Sequence, residues 1–302
     1  MNIIKYRKIF YAISLLLLAT SIFGVLKFGL NLGIDFKGGS IIEAEFTTLP
    51  ETELLKESLG TLNLGEASVR TSGDNGIIVR MKELNGEAQS QVKAVLTTFD
   101  QNVSIKRFDS VGPILGAELQ KKALGSIVTV LLVIILFITF AFRHVSKPVS
   151  SFKYGLIAIV ALLHDVIIPT GVFAFLGHFA GVELDALFIT ALLVVLGFSI
   201  HDTIVVFDRT RENLKINEKS KEKKNFEMIV GESISQTFAR SINTSFTTLL
   251  ALVALYFFGP LATQNFVLAL LIGIIAGTYS SIFIGSPLLV TVQKWQEDKS
   301  SK

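Results

Sequence analysis

ALFITALLVVLGFSIHDTIVVFDRTREN, residues 186–213, opens as an unbroken apolar run and ends as a string of charges. Its first dozen residues suit only a membrane helix. His201 and Asp202 then stand inside the run, ahead of Asp208, Arg209, Arg211 and Glu212. Placing an acid at the centre of a spanning helix costs about 2.5–3.5 kcal/mol on insertion scales, so such residues face a bundle interior, find a partner or take up a proton.

Composition agrees with a membrane reading. Half of the 302 residues are hydrophobic and 18% are charged, and the mean hydropathy is +0.58, too apolar for a water-soluble chain of this size. The formal net charge is +3 and the lysines are scattered, which leaves no basic footprint for nucleic acid. With no cysteine, disulfides, thiolate metal sites and cysteine nucleophiles are excluded. Nothing in the sequence calls for a cofactor or a metal.

A span needs roughly 20 predominantly apolar residues. Six runs qualify, at about 9–26, 123–142, 154–179, 186–207, 241–259 and 261–292. The first follows Lys5, Arg7 and Lys8 but is too long for a signal peptide and lacks a small-residue cleavage site, so it is expected to stay as a span. Lys and Arg concentrate in alternate connections: the N-terminus, the loop with Arg143, Lys147 and Lys153, the segment 208–240, and the tail with Lys294, Lys299 and Lys302. The connections 178–185 and Pro260 carry none. The positive-inside rule therefore puts both termini in the cytoplasm.

The expected organisation is an α-helical membrane protein with six transmembrane helices, one plus five, and a small α+β ferredoxin-like extracytoplasmic domain between helices 1 and 2. Residues 1–30 form the N-terminus and first helix, and 31–122 the periplasmic domain. Residues 123–292 form a five-helix bundle with a cytoplasmic amphipathic loop at 208–240, and 293–302 the tail. Within 31–122 the strand IIEAEF precedes the helix PETELLKESLG; ASVRTS, the turn GDNG and IIVRMK make a hairpin; and GEAQSQVKAVLTTF leads to SIKRFDSV. That β-α-β-β-α-β order is ferredoxin-like, and by itself it names no function.

In the loop 208–240, Phe226, Val230, Ile234 and Phe238 recur every four residues. This suits an amphipathic helix on the inner membrane surface or a helix packed on the protein. In the last span Ala269, Gly273, Gly277, Ser281 and Gly285 form one strip of small residues, a packing surface for a neighbouring helix.

The ionisable groups in the spans are the candidate site. Span three carries His164 and Asp165, and span four His201 and Asp202; Arg209 shares a helical face with Asp202, and Arg240 enters span five. Desolvation favours a protonated Asp202 and a guanidinium favours the ionised form, so a carboxyl between the two can bind and release protons. Arg stays charged and would be the fixed partner. The plainer alternative is a static ion pair fixing helix register. Asp208, Arg209, Arg211 and Glu212 suit a solvated cluster at the membrane boundary.

Several motifs resemble the SecF branch of the SecD/SecF family. They are NLGIDFKGGS (31–40), ALLHDV (161–166), SIHDTIVVFDRTREN (199–213), SQTFARSINTSFTTL (235–249) and TYSSIFIGSPLL (278–289), in this order and with one-plus-five spans. The resemblance implies a protein-export subunit related to the resistance-nodulation-division transporters, in a bacterial inner membrane. It would act with SecD and the SecYEG channel, with YajC-type or insertase accessory proteins as further partners, and use the proton motive force to draw unfolded preproteins across. By motif, Asp202 is the proton-accepting carboxyl, Arg240 its basic partner, and Asp35, Gly38 and Gly39 belong to the junction after span one. His201 departs from the family, which usually has Asn there; a second titratable group beside Asp202 would complicate a single-carboxyl picture. With only six spans, the other half of a pseudo-symmetric core is expected from another chain. Two other readings compete, half of a proton-driven small-molecule or lipid exporter and a non-transporting assembly scaffold. No nucleophile triad, zinc-ligand cluster or phosphate loop supports an enzyme.

Overall fold

In the computed structural model, residues 3–143 and 149–300 are described. Lys147 and Lys302, on which part of the orientation argument rests, lie outside them. The chain divides into two compact units, residues 32–124 and the remainder, 1–31 with 125–302.

The larger unit holds helices long and apolar enough to cross a membrane, six in all among the described residues. They are α1 (Arg7–Phe28), the far part of α5 (Pro113–Ala141), α6 (Ser151–Phe179), α7 (Ala186–Lys219), α8 (Phe226–Phe258) and a composite last helix. The last begins with a 3₁₀ turn (Leu261–Thr263) and continues as α9 (Gln264–Ser280), a π-turn (Ser281–Gly285) and α10 (Ser286–Ser300). Their apolar windows are 56% buried in α6, 44% in α7 and 61% in the last helix, against 17% in α1, 6% in α5 and 11% in α8. The centre of the bundle is therefore α6, α7 and α9.

Glycine sets how closely these helices approach. The strip Ala269, Gly273, Gly277 is buried; a Cβ on Gly273 would lie 2.3 Å from Val195 Cγ2, and one on Gly277 2.9 Å from Ser199 Cβ, so the strip is the seat of α7. On the other side of α6, Gly171 touches the Ser21 backbone of α1.

The segment 208–240 differs from the expected surface loop. α7 continues to Lys219 and α8 begins at Phe226, so only residues 220–225 lie outside helix. Asn217 closes this turn by bonding the backbone N–H and C=O of Lys224, and Asn225 caps α8 by accepting from Met228 N at 2.8 Å. Phe226, Val230 and Ile234 are buried in one apolar cluster with Phe142, Tyr154 and Phe207. Between the two expected settings for the amphipathic stretch, packing on the protein is the observed one, and the stretch is the first turns of span five itself.

The smaller unit contains α2 (Ile34–Lys37), β1 (Gly39–Glu45), α3 (Thr52–Gly60), β2 (Ser68–Ser72), β3 (Gly76–Met81), α4 (Gly86–Phe99) and β4 (Ser104–Val111). The strands form one antiparallel sheet in the order β2-β3-β1-β4, the ferredoxin-like arrangement. Its core joins Ile42, Ala44, Ile77 and Val79 of the sheet to Leu55, Leu59, Val92 and Leu96 of α3 and α4. The hairpin turns at Gly73, where φ is +64°.

Candidate functional site

Asp202 lies on the buried face of α7, 3% exposed. That face meets α8 along Ser233, Thr237, Ser241 and Ser245, buried hydroxyls at a four-residue spacing. The Ser241 and Ser245 side chains face the Asp202 carboxyl, yet Asp202 Oδ2 and Ser241 Oγ each close no hydrogen bond. Ser245 in turn accepts from Thr278 Oγ1 of α9 at 2.6 Å. A buried carboxyl oxygen without a donor is costly if ionised, and a proton on it removes that cost.

Arg240 is exposed on α8; His201 first and Arg240 after it are the cationic side chains within electrostatic range of Asp202, and neither forms an ion pair with it. It borders a cleft of about 420 Å³ between α7 and α8, with Asp208, Arg209, Glu212 and Gln236 on the walls and Ile204 and Thr237 further in. Arg209, which shares a helical face with Asp202 in sequence, is instead bonded to Gln236 (2.6 Å) and Glu212 (2.6 Å). Arg211 sits 3.9 Å from Asp208. The boundary charges thus pair among themselves. His201, although next in sequence to Asp202, is exposed on the outward side of α7.

His164 and Asp165 form a second buried cluster, on α6. Asp165 is fully buried and accepts from Ser199 Oγ of α7 (2.5 Å) and Ser280 Oγ of α9 (2.7 Å), both on Oδ2, while Oδ1 faces His164 Nδ1 at 2.9 Å. Ser281, at the start of the π-turn, bonds Thr203 Oγ1 (2.9 Å) and the Gly277 carbonyl (2.9 Å), and Ser286 Oγ satisfies the Ser281 carbonyl (3.0 Å). Gly285, the last residue of the small strip, is buried at the end of that turn. Sequence reasoning found the two carboxyls and missed the hydroxyls around them. The available signal was the run of Ser and Thr inside otherwise apolar helices, though several of these donate only to the carbonyl four residues back.

In the smaller unit Gly38 and Gly39 adopt φ of +78° and +131°. A Cβ on Gly38 would lie 2.8 Å from Pro113 Cα, and one on Gly39 2.9 Å from the Met81 carbonyl. The pair lets the chain turn from α2 into β1 flush against the start of α5, which itself approaches through Gly116. Asp35 stands in the single first turn of α2.

The family models for the C-terminal region of the protein export membrane protein SecD/SecF and for the SecD/SecF GG motif match residues 91–295 and 23–48. The chain belongs to the SecD/SecF family. Among its relatives, the protein translocase subunit SecF of Thermobaculum terrenum is 43% identical over 96% of this chain and 93% of the relative, and that of Anaerolinea thermophila 40% over the same shares. The crystal structure of SecDF from Thermus thermophilus, a translocon-associated membrane protein, superposes with a TM-score of 0.82 at 32% identity over 97% of this chain; a super-membrane-facing form of SecDF gives 0.69 at 30%. This SecF-family chain spans 39% and 40% of those SecDF chains. The GG-motif match takes in Gly38 and Gly39, and the C-terminal match takes in both buried acidic clusters.

Proposed function

We propose that this multi-pass membrane protein of the Sec export system couples proton movement to preprotein translocation through Asp202, acting with a SecD-type partner beside the SecYEG channel. The observation that carries the reading is the state of Asp202: buried in the bundle, with one oxygen unpartnered, hydroxyls facing it and a guanidinium near but not bonded. A static register pair would bring Arg240 into contact. A carboxyl that takes and gives a proton needs a cation it feels and does not lock onto. The cleft beside Arg240 is lined by charged and polar side chains two or more residues beyond Asp202, on the side rich in Lys and Arg, which the positive-inside rule makes cytoplasmic.

A second feature supports the partner. α8 exposes Arg240 and Asn243, and α7 exposes His201, in segments otherwise apolar. Lipid offers these groups nothing, so another six-span half would cover them. The decisive test is preprotein translocation into inverted vesicles with the partner subunits present, with and without a proton gradient. Asp202→Asn and Arg240→Met should each abolish the gradient-dependent part while the complex still assembles. Unchanged gradient dependence in Asp202→Asn would refute the coupling role and favour a scaffold.

A further inference from the structure

The His164–Asp165 cluster meets α7 at Ser199, one turn before Asp202, and is not used by the mechanism above. Among the described residues, Asp165 has no cationic partner except the neighbouring imidazole. α9 carries no Lys or Arg, α7 has none before Arg209, and those of α1 lie at its two ends, Arg7 and Lys8 at one and Lys27 at the other. From α9 the group that faces the pair is Tyr279, its ring centroid 6.0 Å from His164. Its hydroxyl is already engaged with the Phe10 carbonyl and Ser14 of α1. From α7 the facing group is Ser199, with Asp202 one turn further on. His164 is 2% exposed and its Nε2 has no partner.

The charge of the pair depends on its protons: −1 with none beyond the ordinary imidazole N–H, zero with one more, +1 with two. Burial without an outside counter-charge opposes net charge on the pair, and the two hydroxyls that donate to Asp165 Oδ2 offset only part of that cost. The neutral state contains one proton distributed between His164 Nδ1 and Asp165 Oδ1, which stand at hydrogen-bond distance.

We infer that His164 and Asp165 form a second proton-binding site, which holds one exchangeable proton as a coupled pair and through it ties α6 to α7 and α9. Ser199 and Ser280 both donate to the same carboxyl oxygen, so a change in where the proton resides alters the grip on two helices at once. Ser199 is one turn from Asp202 on α7, which makes the joint a positioning element for that carboxyl.

The test uses the full chain with its partner half in lipid bilayers. Infrared difference spectra between acid and alkaline pH, on protein labelled with ¹³C in the aspartate carboxyl, report a protonated Asp; ¹⁵N-histidine NMR reports imidazolium at His164. At pH 7 either a protonated Asp165 or an imidazolium His164 should be present. The signal should vanish in Asp165→Asn and remain in Asp202→Asn. Should Asp165→Asn fail to fold, Ser199→Ala serves for assignment, since it shifts the Asp165 band without deleting it. A neutral His164 beside an ionised Asp165 at pH 7 overturns the inference, whatever the export assay shows; loss of the Asp202 reading would appear only in that assay.

Discussion

Gly171→Ala tests whether α1 is seated on α6 by direct backbone contact. A Cβ at this position would lie 2.4 Å from Ser21 Cα and 2.3 Å from Ser21 Cβ, where ordinary contact begins at 3.4 Å. The backbone of α1 would have to retreat by 3.4 − 2.4 = 1.0 Å. A radial gap of about 0.5–1 Å forfeits a quarter to a half of the dispersion energy of each pair it opens. Phe28 lies at the α1 end of this interface, edge-on to Phe175 and stacked on His178, so the loss runs along the helix. Overpacking of this kind costs about 1–3 kcal/mol, and contact with backbone rather than a movable side chain places the expected loss at the upper end. Reversible unfolding in mixed micelles measures it, with Gly197→Ala as the control, since a Cβ there meets nothing within 4 Å. If Gly171→Ala and Gly197→Ala unfold alike, α1 is not held by this contact and the reasoning fails.

Two further outcomes follow from the smaller unit. Gly38→Ala combines a positive-φ, extended-ψ backbone that is essentially reserved for glycine, unfavourable by roughly 1–3 kcal/mol for another residue, with the approach to Pro113, so it should lower the thermal midpoint of the full chain more than Gly60→Ala, where a Cβ meets nothing. Asp100 accepts from the backbone N–H groups of Thr47 and Asn102, which hold its carboxyl below the usual carboxylate range. A depressed folded-state value gives stability that is present above the unfolded value, about 3.9, and is lost as pH falls through the folded one. Asp100→Ala should therefore be less stable than wild type at pH 6, with the difference shrinking below about pH 4; a pH-independent difference would refute this account.

The six spans and the β-α-β-β-α-β order were legible because burial in lipid and pairing in a sheet leave strong periodic signals. The helical continuity of 208–240 was not. A charged stretch rich in lysine reads as a loop, whereas Asn217 and Asn225 compress the break to a short turn and the Phe226, Val230, Ile234 row packs on the core. At the site, sequence placed Asp202, Asp165 and Arg240 in spans but carried no register between helices. It therefore did not reveal that Arg209 belongs to Gln236 and Glu212, that His201 faces outward, or that Ser199 and Ser280 converge on Asp165. Those facts depend on which turn of α7 lies beside Gly273 and Gly277, a property of three-dimensional packing.

The unbroken course of α7 has a mechanical corollary. From Asp202 to its end at Lys219 the helix extends 17 residues, about 25 Å at 1.5 Å per residue. A rigid rod pivoting by about 10° at the carboxyl would displace its tip by about 4 Å over that length, and α8 runs alongside it, joined through Asn213 to Ser233 and Gln236. Any pivot of the hairpin at Asp202 would therefore be magnified at its tip. A label on Lys221 or Lys223 would report, amplified and outside the lipid, a sub-ångström event at the centre of the bundle.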